Sequence, residues 1–355
     1  MTTPDVKSVN GTNGHAQLAG AFMENIGPTK EAVLAAFASS QEGLKLVENK
    51  IKEQLCSQAP LLEQIPQYLL NQGGKRIRPV LALLTARLFK MEKPSEQLIE
   101  AAAGIELIHM ATLLHDDIID ESPTRRHQKS AYKEFGMMPS LLAGDFLLVR
   151  AFGLCAKLDA FIIEETEKAC IRLTEGEILE GFISPDNPRE LDEYIDIVDK
   201  KTAALFSLAC AVGSHLSQNN TDVTEKLKQF GSYSGIAFQM VDDVLDVTAD
   251  EDLLGKPAGT DIRQKTPSLV NILWLESGDP TANIIFSKDN VSEDESKQAL
   301  SHLKDSEVIT KSREIAVEYA KKATDILDEL EESSIDTNTR DQLKAIIQYT
   351  LERCL

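Results

Sequence analysis

Two short acidic stretches carry the residues whose type and spacing are best suited to chemistry in this sequence. They occupy positions 116–120 and 242–246, and both read Asp-Asp-x-x-Asp. Residues three or four positions apart on a helix share one face, with Cβ atoms roughly 5–6 Å apart. Each stretch therefore brings two or three carboxylates together if it is helical. The six residues are Asp116, Asp117, Asp120, Asp242, Asp243 and Asp246.

Carboxylates held this close together need a positive partner. Two unit charges ~5 Å apart at an effective dielectric of ~20 repel each other by about 3 kcal/mol. Divalent cations that prefer oxygen ligands relieve this repulsion, which favours Mg²⁺ or Ca²⁺ over Zn²⁺. Acidic helix faces are usually solvated, and one such motif could arise by chance among 57 acidic residues. Two copies, each preceded by apolar residues, favour a paired metal site.

The composition narrows the class of protein. The 355 residues are 42% apolar, enough for one large domain or two ordinary ones. A net charge of −20 argues against nucleic-acid binding and for a soluble surface. Five cysteines without a Cys-x-x-Cys pair suit a reducing cytoplasm. The polar N-terminus predicts no signal peptide, and since no uncharged apolar stretch reaches ~18 residues, we predict no transmembrane segment.

Helical periodicity dominates the chain, and no alternating β-type run of useful length occurs. We therefore predict an all-α fold. Residues 1–25 are predicted to be a disordered N-terminal tail, and residues 26–355 a single helical domain. Prolines 60 and 66 are expected to break the first helical region, and residues 276–294 to be irregular. The other predicted helices span 80–89, 95 to the first motif, 139–155, 161–182, 191–216, 221–247, 268–275, 307–330 and 339–353.

Further groups fall at fixed positions around the two acidic motifs. In chain order they are Gly73-Gly74-Lys75-x-x-Arg78-Pro79, the first motif, Arg125-Arg126, Lys201-Thr202, Phe238-Gln239, the second motif, and Gly255-Lys256-x-x-Gly259-x-Asp261 with Lys265 beyond. Over about residues 30–350 this order resembles the trans-isoprenyl diphosphate synthases, the polyprenyl synthetase family. The resemblance implies an isoprenoid-synthase bundle of antiparallel helices around a deep central cavity, with the two motifs facing each other across its mouth. It also implies a homodimer.

The same resemblance implies the reaction and its metal. Members of the family join isopentenyl diphosphate head to tail to an allylic diphosphate and release pyrophosphate. Asp116 and Asp120 are expected to hold two Mg²⁺ ions, and Asp242 a third with support from Asp246. Three ions would then bridge the allylic diphosphate, whose developing negative charge they stabilise. The middle aspartate of each motif is expected to act on the metal site indirectly, through water molecules or through contacts with the residues around the metal ions.

The basic residues divide between two substrates by the same resemblance. Arg125 and Lys201 are expected to contact the allylic diphosphate, with Lys256 and Lys265 closing over it. Thr202 and Gln239 are expected to offer oxygen dipoles to the allylic cation. Any one of 37 Lys and Arg residues is unremarkable alone, so these assignments depend on position. The expected pocket for isopentenyl diphosphate contains Lys75, Arg78, His109 and Arg126.

His109 lies seven residues before Asp116, two helical turns away on the same face, so one helix can serve both sites. A buried core histidine is the alternative. Product length depends on the side chains below the metal site, which are expected to be Ile108, Ala111 and Thr112. Short-chain members of the family carry a bulky aromatic at 111 or 112. The small residues here predict a geranylgeranyl or longer product.

The chain departs from the family pattern at two places. Residues 127–130 read His-Gln-Lys-Ser where a Gly-x-Pro-Thr segment is usual, and Gln264 replaces a usual Gly. Two other functions compete with a synthase. A class I terpene cyclase shares the first motif, but it lacks an isopentenyl diphosphate pocket and carries a different second motif. A catalytically silent partner subunit would tend to lose an acidic motif, whereas this chain keeps both.

Overall fold

The structure is a computed structural model that describes residues 30–218, 220–249 and 258–354. It is built almost entirely of helices, which confirms the predicted all-α class. The helices are α1 (Lys30–Gln54), α2 (Pro60–Asn71), α3 (Ile77–Leu88), α4 (Glu96–Ile119), α5 (Ala131–Phe135), α6 (Met137–Cys155), α7 (Ala160–Glu180), α8 (Leu191–Val198), α9 (Ala204–Ser217), α10 (Thr221–Thr248), α11 (Thr260–Gln264), α12 (Leu269–Glu276), α13 (Pro280–Phe286), α14 (Glu293–Leu303), α15 (Glu307–Asp328) and α16 (Thr337–Glu352).

Helix starts follow local capping chemistry. The Ser95 side chain accepts a hydrogen bond from the backbone N–H of Leu98 at the start of α4. Asp159 does the same for Ile162 at the start of α7. Such caps satisfy backbone donors that have no partner inside the helix. They explain why the predicted starts of these two helices lie within a residue of the observed ones.

Four local features differ from the predictions. Pro66 lies inside α2 rather than ending a helix. The stretch expected to be irregular contains α13 and the start of α14. The helix expected at 191–216 is interrupted by a π-helical turn, Asp199–Ala203. A short hairpin, β1 (Thr124–Arg125) with β2 (Gln128–Lys129), follows the first motif. These features depend on tertiary contacts that periodicity does not record.

Helix α9 forms the centre of the bundle. Its residues from Ala204 to Ser214 are all buried, and it packs against α3, α4, α7 and α10. Only three residues separate α9 from α10, so the two helices run antiparallel. The helices that carry the two acidic motifs, α4 and α10, therefore contact the same central helix.

Among the helices of the described residues, α4 and α6 are long and apolar enough to cross a membrane by length and composition. Within α4, 72% of the apolar window is buried inside the bundle, as expected for a core helix. Only 39% of the corresponding window of α6 is buried. Much of the apolar surface of α6 therefore lies on the outside of the bundle.

Candidate active site

The first acidic motif lies at the C-terminal end of α4, where the helix dipole already disfavours negative charge. Burial, with repulsion from Glu177 and Asp120, raises the pKa of Asp116 to about 7, although Lys201 and Arg125 oppose the shift. Burial raises the pKa of Asp120 as well. The charged forms of these two carboxylates are therefore destabilised in the folded protein, and a bound cation would stabilise them.

Asp117, between them, has a different environment. It is 1% exposed, and the Arg125 guanidinium donates to both of its carboxylate oxygens, with Nε at 2.9 Å from each. Arg125 belongs to β1 of the hairpin, so this pair fixes the hairpin to α4. Asp117 holds in place the arginine that is predicted to contact the allylic diphosphate.

Lys201 faces the first motif from the π-helical turn. Its ammonium is hydrogen-bonded to Glu180 and lies 3.0 Å from Glu177. Burial lowers the pKa of Lys201, but Glu180, Asp116 and Glu177 together raise it above its ordinary value. The lysine therefore stays charged beside the first motif.

The sequence patterns did not identify Glu177 and Glu180 as residues of the site. Both lie on α7, and both repel Asp120. Their only sequence signal is a Glu-x-x-Glu spacing, which is common among 57 acidic residues.

Two glycines allow the π-helical turn to sit this close to its neighbours. A Cβ on Gly176 of α7 would lie 2.7 Å from the Lys201 backbone nitrogen. A Cβ on Gly235 of α10 would lie 2.6 Å from the Ala203 Cα. The backbone of the turn is thus clamped between α7 and α10, which fixes where Lys201 and Thr202 point.

The second motif lies near the C-terminal end of α10, and its three aspartates have separate partners. Asp243 is buried and accepts hydrogen bonds from Tyr194, Gln239 and the Leu269 backbone. Asp246 is also buried and accepts from the Asp261 backbone N–H at 3.1 Å. Asp242 is half-buried and lies 3.0 Å from Arg353 at the C-terminal end of the chain.

Several contacts bring the two motifs to one place. Lys201 faces the first motif, while its neighbour Thr202 donates to Gln239, which in turn donates to Asp243 of the second motif. Asp246 accepts a hydrogen bond from the backbone of Asp261, and Gln264 lies three residues further along that segment. The Gln264 side chain donates to the Asp120 backbone carbonyl at 3.1 Å. The residue that departs from the family pattern thus ties one motif to the other.

A basic pocket adjoins both motifs. Arg78 is half-buried, its enclosed Nε has no hydrogen-bond partner, and its guanidinium lies 4.9 Å from the centre of the Phe206 ring. Burial lowers the pKa of Arg78 to about 10. Partial burial, with repulsion from Arg353 and Arg126, lowers the pKa of Lys75 to about 8. Cations whose pKa values are lowered by burial or by neighbouring cations are typical of an anion-binding site.

His109 lies in the same pocket. Burial and the charges of Arg78, Arg125, Arg126 and Arg76 hold its pKa well below the ordinary value. It is therefore neutral near pH 7 and can offer one N–H to an anion. Its electrostatic neighbours are cations rather than the apolar groups of an ordinary core histidine.

The remaining predicted residues fall in different surroundings. Arg126 and His127, the central residues of the hairpin turn, both have positive φ values, as a type I′ turn requires, and Arg126 donates to the Gly73 carbonyl. Lys265 donates to the Lys288 carbonyl, so its contact with substrate stays a prediction. Ile108 and Ala111 are fully buried, and Thr112 is half-buried. Lys256 lies outside the described residues.

Comparison with known proteins identifies the family. The profile described as Polyprenyl synthetase matches residues 59–303. The chain belongs to the polyprenyl synthetase family. The octaprenyl diphosphate synthase of Escherichia coli is 38% identical over 66% of this chain and 72% of its own. The geranylgeranyl pyrophosphate synthase of Geoglobus acetivorans is 33% identical over 87% of this chain and 96% of its own.

A solved polyprenyl synthase has the same fold. The Caulobacter crescentus enzyme, complexed with calcium and isoprenyl diphosphate, superposes with a TM-score of 0.84 at 28% identity, over 91% of this chain and 98% of its own. The isoprenoid-synthase fold that the family resemblance implied is therefore confirmed.

The polyprenyl synthetase site fits a magnesium-diphosphate ligand. Among residues 30–218, 220–249 and 258–354, no three His, Cys, Asp or Glu side chains are already gathered into a metal cage. Mg²⁺ usually takes one or two carboxylates and completes its shell with water and substrate phosphate. The Asp116 and Asp120 carboxylates, opposite Lys201 and Arg125, are the donor set that such a ligand would use.

Proposed function

We propose that the two acidic motifs and the adjoining basic pocket form one active site. The chain is a trans-prenyltransferase that condenses isopentenyl diphosphate head to tail with an allylic diphosphate, yielding a polyprenyl diphosphate and pyrophosphate. The observation that carries the site assignment concerns the neighbours Lys201 and Thr202. The charge of Lys201 acts on Asp116 of the first motif, and Thr202 is hydrogen-bonded through Gln239 to Asp243 of the second.

In this site the aspartates would bind the metal ions, and two basic residues would bind the leaving diphosphate. Asp116 and Asp120 would hold two Mg²⁺ ions, and Asp242 with Asp246 a third. Bound Mg²⁺ would neutralise the diphosphate as it leaves. Lys201 and Arg125 would bind the oxygens of that diphosphate, on which charge accumulates as the allylic C–O bond breaks.

The basic pocket would hold the second substrate. Lys75, Arg78, Arg126 and neutral His109 would bind the diphosphate of isopentenyl diphosphate, with the planar Arg side chains giving paired hydrogen bonds. The unpartnered Nε of Arg78 is a donor that such an anion would satisfy. Binding there would leave the double bond of isopentenyl diphosphate free to attack the allylic cation.

The test uses purified protein, Mg²⁺, labelled isopentenyl diphosphate and one allylic primer at a time. We expect label in an acid-labile prenyl diphosphate with the protein alone. A cyclised hydrocarbon would favour the terpene cyclase. Absence of incorporation until an active homologue is added would identify a silent subunit.

We propose that the product is geranylgeranyl diphosphate or longer, because Ala111 and Thr112 are small. A Phe at either position would occupy the space that the growing chain enters, one turn below the metal site. Ala111→Phe and Thr112→Phe are expected to shorten the product by at least one isoprene unit. Chromatography of the dephosphorylated products measures this directly.

Two controls make the product-length result decisive. Ala111 is fully buried, so its Phe variant is checked for folding by circular dichroism, and half-buried Thr112 provides the second variant. Thr112→Ser should leave the product unchanged. Farnesyl diphosphate as the end product of the unmutated enzyme would contradict the proposal.

We propose that the chain acts as a cytoplasmic homodimer, joined through α6 and α7. Large apolar side chains are exposed on both helices, with Val149 67% and Ile171 50% exposed. A groove between the helices is lined by Phe152, Cys155, Ile163, Cys170 and Ile171. A second copy would cover this face, which accounts for the low burial of α6 better than lipid does, because α7 carries several charged residues.

Phe152→Lys should convert the dimer to a monomer, because it places a charge in the apolar groove. Light scattering after size-exclusion chromatography measures the mass. Val317→Lys is the matched control, since Val317 is 40% exposed on α15, away from this face. A wild-type monomer, or equal dissociation by both variants, would contradict the interface.

A further inference from the structure

A chain of hydrogen bonds links a buried tyrosine of α8 to the π-helical turn. The Tyr194 hydroxyl donates to Asp243 Oδ2 at 2.7 Å, and Gln239 Nε2 donates to Asp243 Oδ1 at 2.9 Å. The Thr202 hydroxyl then donates to Gln239 Oε1 at 2.9 Å. Tyr194 is 1% exposed and Asp243 is 3% exposed. The sequence motifs assign no role to Tyr194.

The direction of each hydrogen bond is fixed by the residue types. The Leu269 backbone N–H can only donate, so Asp243 Oδ2 accepts from it at 2.8 Å, and Gln239 presents its NH₂ group to Asp243 Oδ1. The carbonyl oxygen of Gln239 is then left to face Thr202, whose hydroxyl must donate to it. Thr202 has one hydrogen, and it is already used in this bond. Thr202 can therefore offer only its oxygen lone pairs to any other group.

We propose that Tyr194 and Asp243 are positioning residues that fix the orientation of the Thr202 hydroxyl, so that its oxygen rather than its hydrogen faces the allylic cation. The inference rests on the proposed site, because a cation forms there only if the allylic C–O bond breaks. In that step the bonding electron pair leaves with pyrophosphate, and the carbon fragment keeps the positive charge. An oxygen dipole stabilises this charge, whereas an O–H dipole of the opposite sense destabilises it.

The arrangement separates two tasks between adjacent residues. Lys201 carries its positive charge beside the first motif, where the leaving diphosphate would bind. Thr202, next to it, presents the negative end of a dipole. Asp243 thus acts through Gln239, and its two oxygens are already occupied by Tyr194, Leu269 and Gln239.

Tyr194→Phe removes one hydroxyl and keeps the ring, so it isolates the proposed effect. The matched control is Tyr132→Phe, because Tyr132 is also buried but its hydroxyl has no hydrogen-bond partner. Two affinities are measured with Mg²⁺ present: that of inorganic pyrophosphate, and that of an allylic ammonium analogue of the cation added with pyrophosphate. Single-turnover rates are measured beside them.

For Tyr194→Phe we expect about a tenfold loss in single-turnover rate and in affinity for the ammonium analogue, with pyrophosphate affinity within about twofold of wild type. Asp243→Asn should lower the single-turnover rate and the affinity for the ammonium analogue further. The Asn oxygen must still accept from the Leu269 N–H, so its NH₂ group faces Gln239, which turns its carbonyl oxygen to Asn and its NH₂ group to Thr202. The Thr202 hydroxyl dipole is then reversed. In a Thr202→Val background, Tyr194→Phe should no longer change affinity for the ammonium analogue. Tyr132→Phe should match wild type in all three measurements.

The inference is overturned if Tyr194→Phe weakens pyrophosphate and the ammonium analogue equally, because that is the signature of a general structural role. It is also overturned if the Tyr194 effect persists in full without the Thr202 hydroxyl. Wild-type incorporation of isopentenyl diphosphate is measured first. Turnover in the wild type with no selective Tyr194 effect refutes only this inference, whereas absence of wild-type turnover refutes the proposed function as well.

Discussion

Asp116→Asn is expected to lower kcat/KM for the allylic diphosphate by roughly 10³-fold while making the metal-free protein more stable. The loss of activity follows because an amide cannot replace a carboxylate ligand of Mg²⁺. The gain in stability follows because the Asp116 carboxylate is buried beside Glu177 and Asp120, which raises its pKa to about 7. A neutral side chain of the same shape removes that penalty.

The stability effect has a defined pH dependence. The pKa of Asp116 rises from 3.8 in the unfolded chain to about 7 in the folded one. Between these values the folded state binds more protons, so this group's contribution to stability falls as pH rises. The variant's advantage should therefore grow by about 2 kcal/mol between pH 5 and pH 7.5. Urea unfolding of metal-free protein at both pH values measures it.

The control for this prediction is Asp305→Asn, an exposed carboxylate away from the motifs. It should leave turnover and the pH dependence of unfolding unchanged. An Asp116→Asn protein that is less stable than wild type at pH 7.5, or that keeps full turnover, would contradict the proposed role of Asp116.

Arg78→Met is expected to lower kcat/KM for isopentenyl diphosphate by roughly 10²-fold to 10³-fold and to leave pyrophosphate binding at the magnesium site unchanged. Arg78 is half-buried, its enclosed Nε has no protein partner, and burial of its guanidinium lowers its pKa to about 10. Such a guanidinium gains most when a diphosphate enters the pocket, since charge-assisted bonds are strong where water is excluded. Arg78→Lys keeps the charge but not the planar fork, and should be intermediate.

Arg76→Met is expected to lower the stability of the protein rather than its binding of isopentenyl diphosphate. Arg76 lies two residues away, but its Nη1 is 2.9 Å from the buried Glu106 carboxylate. Removing it takes away the hydrogen-bonded partner of that carboxylate, so the variant should lose stability by about 3 kcal/mol. Steady-state kinetics with each substrate varied in turn, together with urea unfolding, separates the two arginines. Equal rises in KM for both substrates in Arg78→Met would contradict a dedicated pocket.

The sequence was most informative where local chemistry decides the outcome. Ser95 and Asp159 start their helices because a short polar side chain caps free backbone donors, and no distant residue is needed. The two acidic motifs could be predicted as binding residues because their carboxylates recur at helical spacing, whereas Lys75 and Arg78 were assigned by their position relative to these motifs. The family resemblance supplied their order.

The family resemblance implied a separate role for the middle aspartate of each motif, but the protein partners of the aspartates could not be predicted, because those partners are distant in sequence. Asp117 is held by Arg125, and Asp243 by Tyr194, while Asp116 keeps a raised pKa. The same holds for Glu177, Glu180 and Arg353, which become part of the site only when α7 and the C-terminal end of the chain pack beside it. None of these residues has a local signal that distinguishes it from a solvated charge.

Mg²⁺-dependent binding of pyrophosphate to four proteins tests the central claim most directly. These are the wild type, Asp116→Asn, Asp242→Asn and the double variant, with affinities measured by calorimetry. If both motifs share one magnesium-diphosphate ligand, each single variant should lose at least about 100-fold in affinity, and the double variant little more than either. Wild-type affinity in the Asp242→Asn protein, or losses that simply add in the double variant, would show that the two motifs do not act on one ligand.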